Sequence, residues 1–245
     1  MNKLSLVLDL SSSLYLGLVD DQGRVLSRRI RGQGIRGETA HSLLDECLAE
    51  AGADVSAIAD ICVGIGPGSF TGIRVCAAMA QGLAFASRLP LYPFSSLAAI
   101  AACAPQPEAT AVAAIAAIAG RYYVRRPAGE NVPSGRESGT SAVEVLQSAE
   151  ELAGWGVDGA LLMTSGNVPD LPRLQSAFSA MVRFEDAADF GRIVRLAHGS
   201  PAVTDGVLRP NYLMASAAEE KRRAAGGTPG VEGSVVAQGP GSTPP

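Results

Sequence analysis

The sequence is poor in the residues from which most metal and hydrolase sites are built. Its 245 residues contain two histidines, His41 and His198. A two-histidine metal site or a Ser/His triad would need one or both in a single place, and neither HxxxH nor HExxH occurs. The four cysteines, Cys47, Cys62, Cys76 and Cys103, include no CxxC pair. They read as free thiols that pack as small hydrophobes in a reducing compartment, and metal ligation is not expected of them. Basic charge is also short. A net charge of −4 and a pI near 5.3 supply no field for a dedicated nucleic-acid binder, so any RNA contact is expected to be local or borrowed from a partner. The N-terminal run Leu4-Ser5-Leu6-Val7-Leu8 after Lys3 is broken by Asp9 before a signal-peptide core is complete. It is read as a strand of a cytoplasmic protein. What the chain does have is 47% hydrophobic residues, enough for the core of one large domain or two small lobes.

Apolar, β-prone runs at 4–10, 14–19 and 24–30 are separated by Ser11-Ser12-Ser13 and by the turn Asp20-Asp21-Gln22-Gly23, which predicts antiparallel strands. From Thr39, apolar residues at Ala40, Leu43, Leu44, Cys47, Leu48 and Ala51 follow helical spacing up to Gly52. The continuous apolar run 61–65 predicts a strand covered on both faces. After the Gly/Pro loop 66–72, residues 73–86 are apolar on every side except at Arg74 and Gln81. This predicts a helix buried all round, in the fold or against another chain. A short strand at 89–94 and a helix capped by Ser95 or Ser96 follow, and runs at 110–118 and 122–126 close the first half. Beyond the polar loop 127–140, Ser141 and Glu144 form a capping-box signal for a helix reaching Ala153. A strand at 158–164 and helices near 170–181 and 186–197 complete the pattern. The last 22 residues carry six Gly and four Pro with few bulky apolar side chains, a composition that predicts disorder. No repeat of fixed period is visible, and the mixture of strands and helices predicts an α/β protein.

Three features carry candidate chemistry. The loop Gly66-Pro67-Gly68-Ser69-Phe70-Thr71-Gly72 lies between a strand and a helix N-terminus, where free N–H groups favour an anion. It has neither the Lys-Ser/Thr of a Walker A loop nor GxGxxG spacing, and a tight structural turn is the competing reading. Arg74, a cation in the first turn among apolar neighbours, calls for a buried carboxylate, a carbonyl or a ligand, with a salt bridge preferred. Asp9 with Ser11 and Ser12 has the layout of a carboxylate beside a metal-bound phosphate, or of a strand-end turn. His41 is placed at an interface or in a capping role, and His198 as a helix C-terminal cap. The arginines at 24, 28, 29, 31 and 36 form a basic strip that suits RNA or a solvated edge strand.

Leu6-Val7-Leu8-Asp9, His41-Ser42-Leu43-Leu44, the GxGPGSFTGxR block within 63–82 and Pro210-Asn211-Tyr212-Leu213 together resemble the TsaB (YeaZ) family. These proteins are paralogues of TsaD/Kae1 in the actin-like, Hsp70-like ATPase superfamily. The likeness is specific over about 4–104 and thin over 105–209. Leu10 replaces a usual Thr, and Ile115 to Tyr123 replaces a typical IDARRGEVY, with Ala116 at its Asp. The resemblance implies an α/β fold of two lobes, 1–104 and 105–217, with a tail at 218–245. It further implies a non-catalytic scaffold subunit for threonylcarbamoyl transfer to the tRNA adenosine adjacent to the anticodon. The expected partners are TsaD, the ATPase TsaE through the complex, a second copy of the chain, and tRNA indirectly; no membrane contact is expected. No cofactor is expected on the chain itself, ATP and Mg²⁺ entering through the partner complex. Helices at 39–51 and 72–87 would form the interface through His41, Leu44, Cys47, Leu48, Arg74, Ala77, Ala78 and Gln81. A vestigial phosphate site would comprise Asp9, Ser11, Ser12, Gly66, Gly68, Ser69 and Thr71. The rivals are an active ATPase or small-molecule kinase of the superfamily, using Asp9, and a peptidase.

Overall fold

The computed structural model describes residues 3–32, 37–105, 111–126, 143–156, 160–203 and 206–213. The tail expected at 218–245, the loop 127–140, Arg36 and Ser141 lie outside them. The first half follows the sequence reading closely. Strands β1 (Leu4–Asp9), β2 (Leu14–Asp20) and β3 (Val25–Arg31) precede helix α1 (Gly37–Glu50). Strand β4 (Ile58–Gly64), helix α2 (Phe70–Ser87), strand β5 (Leu91–Phe94) and helix α3 (Ser96–Ala102) come next. The second half contains β6 (Ala111–Ala116), β7 (Arg121–Arg126), β8 (Val143–Ser148), α4 (Ala149–Ala153) and β9 (Leu161–Ser165). It ends with α5 (Leu171–Ala177), β10 (Ala180–Arg183), α6 (Phe184–Ala187) and α7 (Phe190–His198).

Two five-stranded sheets result, in the orders β3-β2-β1-β4-β5 and β8-β7-β6-β9-β10. In each, three antiparallel strands are followed by two parallel ones. The two sheets therefore share one topology, although the sequence shows no repeat. Strands β6 and β7, which sequence reading assigns to the close of the first half, found the second sheet.

Strand alternation sorts the first sheet into two covered faces. Leu4, Leu6 and Leu8 of β1, with Ile61 and Val63 of β4, join the core under α1 and α2. Ser5, Val7 and Asp9, with Asp60, Cys62 and Gly64, point to the opposite face, on which α7 packs. There the ring of Phe190 fills the space left by Gly17, where an added Cβ would lie 2.5 Å from the ring. Burying that ring is worth about 1.5–3 kcal/mol.

Two expectations are corrected. Residues 143–148 form a strand paired to β7, so Glu144 opens no helix; the capping box is Ser148 with Glu151, at the start of α4. The helix expected near 170–181 stops at Ala177, because 180–183 pair with β9. Helix α2 is not covered all round by this chain, which leaves the alternative of burial against another chain open: Thr71, Arg74, Ala78, Gly82 and Phe85 form an uncovered stripe at helical spacing. Among the described residues, no helix is long and apolar enough to cross a membrane.

Candidate functional site

Asp9 ends β1 on the face covered by α7 and is only 4% exposed. Its Oδ1 accepts from the Ser11 amide at 2.8 Å, which closes the turn after the strand. Burial raises its pKa above the ordinary 3.8, and the Ser11 hydrogen bond pulls the other way. Gly64 lies directly beside it: a Cβ there would fall on the Asp9 carboxyl. The small cavity in front of Asp9 is lined mainly by apolar groups, among them Val7, Phe94, Phe184 and Ile193.

Ser12 and Ser13 are spent on a seam between the two sheets, while the Ser11 Oγ is buried without a partner among the described residues. Ser12 Oγ is 2.7 Å from Ser165 Oγ at the end of β9, and the Tyr15 hydroxyl also bonds to Ser165. Glu185 of α6 gathers the seam: its Oε1 accepts from the Gly166 amide at 2.8 Å and from Ser165 Oγ and Tyr15 OH at 3.2 Å each. Ser13 Oγ donates to the same oxygen at 3.4 Å. Desolvation, then the Glu185 charge, pushes the Tyr15 phenol well up, which keeps it a donor. Tyr15 and Phe184 meet edge to face at 4.6 Å, so an aromatic pair backs the polar one. Sequence reading names Ser12 but misses Tyr15, Ser165 and Glu185, whose contacts span 150 residues and more.

The Gly66–Gly72 loop packs against the chain leaving β1. Cβ atoms at Gly68 and Gly72 would strike the carbonyls of Ser11 and Leu10. Ser69 N–H donates to Ser11 O at 2.6 Å, and Gly72 N–H donates to Ser69 Oγ at 3.2 Å. The Gly66 carbonyl accepts from Ser96 N–H at 2.9 Å. Two of the amides an anion would use are thus already bonded within the chain, while Thr71 points outward. Asn211, within the closing Pro-Asn-Tyr-Leu, ties the loop to the second half: its amide donates to Ile65 O at 2.8 Å and its side chain to Glu144 at 2.9 Å.

The proposed interface residues divide. Leu44, Cys47, Leu48 and Ala77 face this chain's own core, because α1 and α2 bury that stripe on the first sheet. His41, Arg74 and Ala78 are exposed, and Gln81 donates to Gly206 O at 2.5 Å. Arg74 has no need of a buried carboxylate, since its guanidinium lies in the open, 3.9 Å over the Phe70 ring. Tyr212 packs on the same ring at 4.9 Å. Two members of the stripe escape sequence reading. Phe85 is 91% exposed, and a Cβ added at Gly82 would meet nothing within 4 Å.

Two arginines of the basic strip are neutralised locally and a third is held by a carbonyl. Arg24 pairs with Asp20 at 2.7 Å, Arg28 donates to Ala188 O, and Arg29 pairs with Glu46 and Glu50. His198 does not merely cap α7: its Nε2 lies 3.2 Å from Asp60 Oδ1. All four cysteines are free and buried.

The family described as "TsaD: tRNA N6-adenosine threonylcarbamoyltransferase" matches residues 37–181, more than half of the chain. The chain belongs to this family. Within it, the chain falls among the TsaB (YeaZ) proteins. The "tRNA threonylcarbamoyladenosine biosynthesis protein TsaB" of Haemophilus influenzae is 48% identical over 62 residues, which are 25% of this chain and 26% of that protein. The match thus spans about a quarter of the length of that curated relative. A crystal structure from Pseudomonas aeruginosa, of an uncharacterised protein with similarity to peptidase YeaZ, superposes with a TM-score of 0.65 at 25% identity. It covers 86% of this chain and 100% of that one. YeaZ from Pseudomonas aeruginosa gives 0.63 at 23% identity over 85% and 100% of the two chains. The fold is that of the actin-like and Hsp70-like ATPases, with two mixed sheets and flanking helices.

Proposed function

We propose that this TsaB-type chain takes part in the biosynthesis of threonylcarbamoyladenosine in tRNA as a non-catalytic subunit that binds and supports TsaD. The observation that carries the proposal is the state of the seam between the two sheets. Catalysis on a nucleotide there needs room for a phosphate and ionised oxygens around a metal. Instead, the Ser12, Tyr15, Ser165 and Glu185 network fills the seam, and Asp9 is 4% exposed with its Oδ1 engaged by the Ser11 amide. The open stripe of α2 supports the second half of the proposal, since an exposed Phe85 in line with Ala78 and Gly82 suits a docked helix. ATP and Mg²⁺ then act on TsaD, TsaE joins through the complex, tRNA is met through the partner, and the assembly works in the cytoplasm.

The test uses the full chain and the TsaD of the same organism. Co-expression is expected to yield a stable complex, and calorimetric titration of the isolated chain with ATP and Mg²⁺ is expected to give no heat of binding. Nucleotide hydrolysis by the isolated chain that Asp9→Ala abolishes would establish the rival ATPase. Failure of the two proteins to associate would remove the scaffold role.

A further inference from the structure

A cluster of unlike ligands lies away from the seam. Asp60 and Cys62 alternate on one face of β4, and α7 lays His198 of its last turn over the same face. A carboxylate oxygen, the Cys62 sulfur and a ring nitrogen of His198 all lie within 4.8 Å of one another. Two of the spacings are 3.2 Å, from Asp60 Oδ1 to His198 Nε2, and 3.8 Å, from Asp60 Oδ1 to Cys62 Sγ.

We propose that Asp60, Cys62 and His198 form a binding site for a borderline-soft divalent cation of the zinc type. Bond lengths of about 2.0–2.2 Å to nitrogen and oxygen and about 2.3 Å to sulfur place tetrahedral ligands about 3.3–3.6 Å apart. The two spacings given above bracket that range, and the remaining pair, Cys62 Sγ and the His198 ring nitrogen, lies within 4.8 Å, so coordination needs the sulfur and the ring to close by up to about 1 Å. The chemistry of the set is selective: thiolate and imidazole favour zinc over magnesium or calcium, which take oxygen ligands. Support comes from around the set as well. Ser5 Oγ donates to the second Asp60 oxygen at 3.1 Å, which leaves Oδ1 aimed at the cluster, and Tyr92 packs at a tilt against the His198 ring, centroids 4.4 Å apart. Among the described residues, no Lys or Arg pairs with Asp60 to compete for its charge.

Access is from the His198 side, since that side chain is 38% exposed while Cys62 lies beneath it. Three protein ligands leave a fourth position to water, as in open zinc sites. On binding, the Cys62 thiol proton leaves to solvent and the sulfur bonds the metal as thiolate, which fastens the end of α7 to β4.

The test is a titration of chelator-stripped, reduced full-length protein with Co²⁺. One equivalent is expected to produce a thiolate-to-cobalt charge-transfer band together with four-coordinate d–d bands, and Zn²⁺ is expected to erase both. Cys62→Ser should remove the charge-transfer band, whereas Cys47→Ser should leave it. His198→Ala, at an exposed position that does not threaten folding, should weaken Co²⁺ binding by at least about 10-fold, the lower end of what even outer-shell losses produce. Wild-type protein without a thiolate band would overturn the site, as would a band that survives Cys62→Ser. Affinity unmoved by His198→Ala would overturn it too, leaving only the Asp60–His198 hydrogen bond.

Discussion

Gly82 offers a perturbation whose two consequences point in opposite directions. It sits inside the 18-residue helix α2, where nothing within 4 Å obstructs a side chain. A glycine there lowers the stability of the isolated chain by about 0.8–1.0 kcal/mol relative to alanine. Nothing in this chain's own packing requires it, but a helix seated on the stripe of Ala78, Gly82 and Phe85 does. Gly82→Ala should therefore raise the urea midpoint of the monomer, and its melting temperature by about 2–4 °C. The same methyl overpacks a close helix contact at a cost of about 1–3 kcal/mol, which weakens association by about 5- to 150-fold. Phe85→Ala is the companion variant: folding stability holds within about 0.5 kcal/mol because the ring is already in water, while association falls. Leu44→Ala is the opposite control. Leu44 is 3% exposed, so the substitution should cost about 2–5 kcal/mol of folding stability. Urea melts of dilute protein and sedimentation of mixtures with TsaD read both quantities. If Gly82→Ala stabilises the chain and leaves association unchanged, the α2 stripe is not the partner surface.

Two further outcomes test the seam. Glu185→Ala deprives the Gly166 amide, Ser13, Tyr15 and Ser165 of a shared acceptor, at a cost of about 1–3 kcal/mol. Amide exchange at Gly166 should accelerate with it, and unchanged exchange would show that the network does not hold the sheets. For Asp9, burial lifts the folded pKa above 3.8, so the fold favours the neutral acid. Its stabilising effect is complete below 3.8 and is lost as pH rises through the folded pKa. Asp9→Asn should then melt higher than wild type at neutral pH, the two curves converging in acid. Parallel curves across the whole range would mean that the Asp9 carboxyl is ionised at no cost.

The first sheet was legible because its signals are local. Leu4 to Asp9 is a strand on any register, Asp20 to Gly23 is a turn, and Ser69 and Ser95 cap the helices that follow them. The second half failed where a local signal met a pairing partner. Ser141 and Glu144 satisfy the capping-box spacing, but Glu144 lies opposite Arg125 in the β7–β8 ladder and pairs with it at 2.8 Å. Residues 180–183 continue a helical pattern, yet alignment beside β9 gives their backbone a ladder instead. Composition told that α2 is apolar all round but not which side this chain leaves uncovered. That depends on where α1 lies, and α1 settles on β2 and β3. Glu185 was invisible for a like reason: nothing near it in sequence points to Ser13 or Tyr15.

The shared topology of the two sheets bears on catalysis in a way neither half shows alone. Because β6 occupies in its sheet the place of β1 in the other, Ala116 at the end of β6 is the counterpart of Asp9. A duplicated fold could bring two strand-end carboxylates to the seam, one from each half, to share a metal-bound phosphate. Here one is alanine, and the turn after it, Ala117 to Gly120, carries no charged side chain. The remaining carboxylate is buried against Gly64 and has its Ser11 neighbour closed upon it. The two halves thus keep one pairing pattern, while only the first ends its leading strand in a carboxylate.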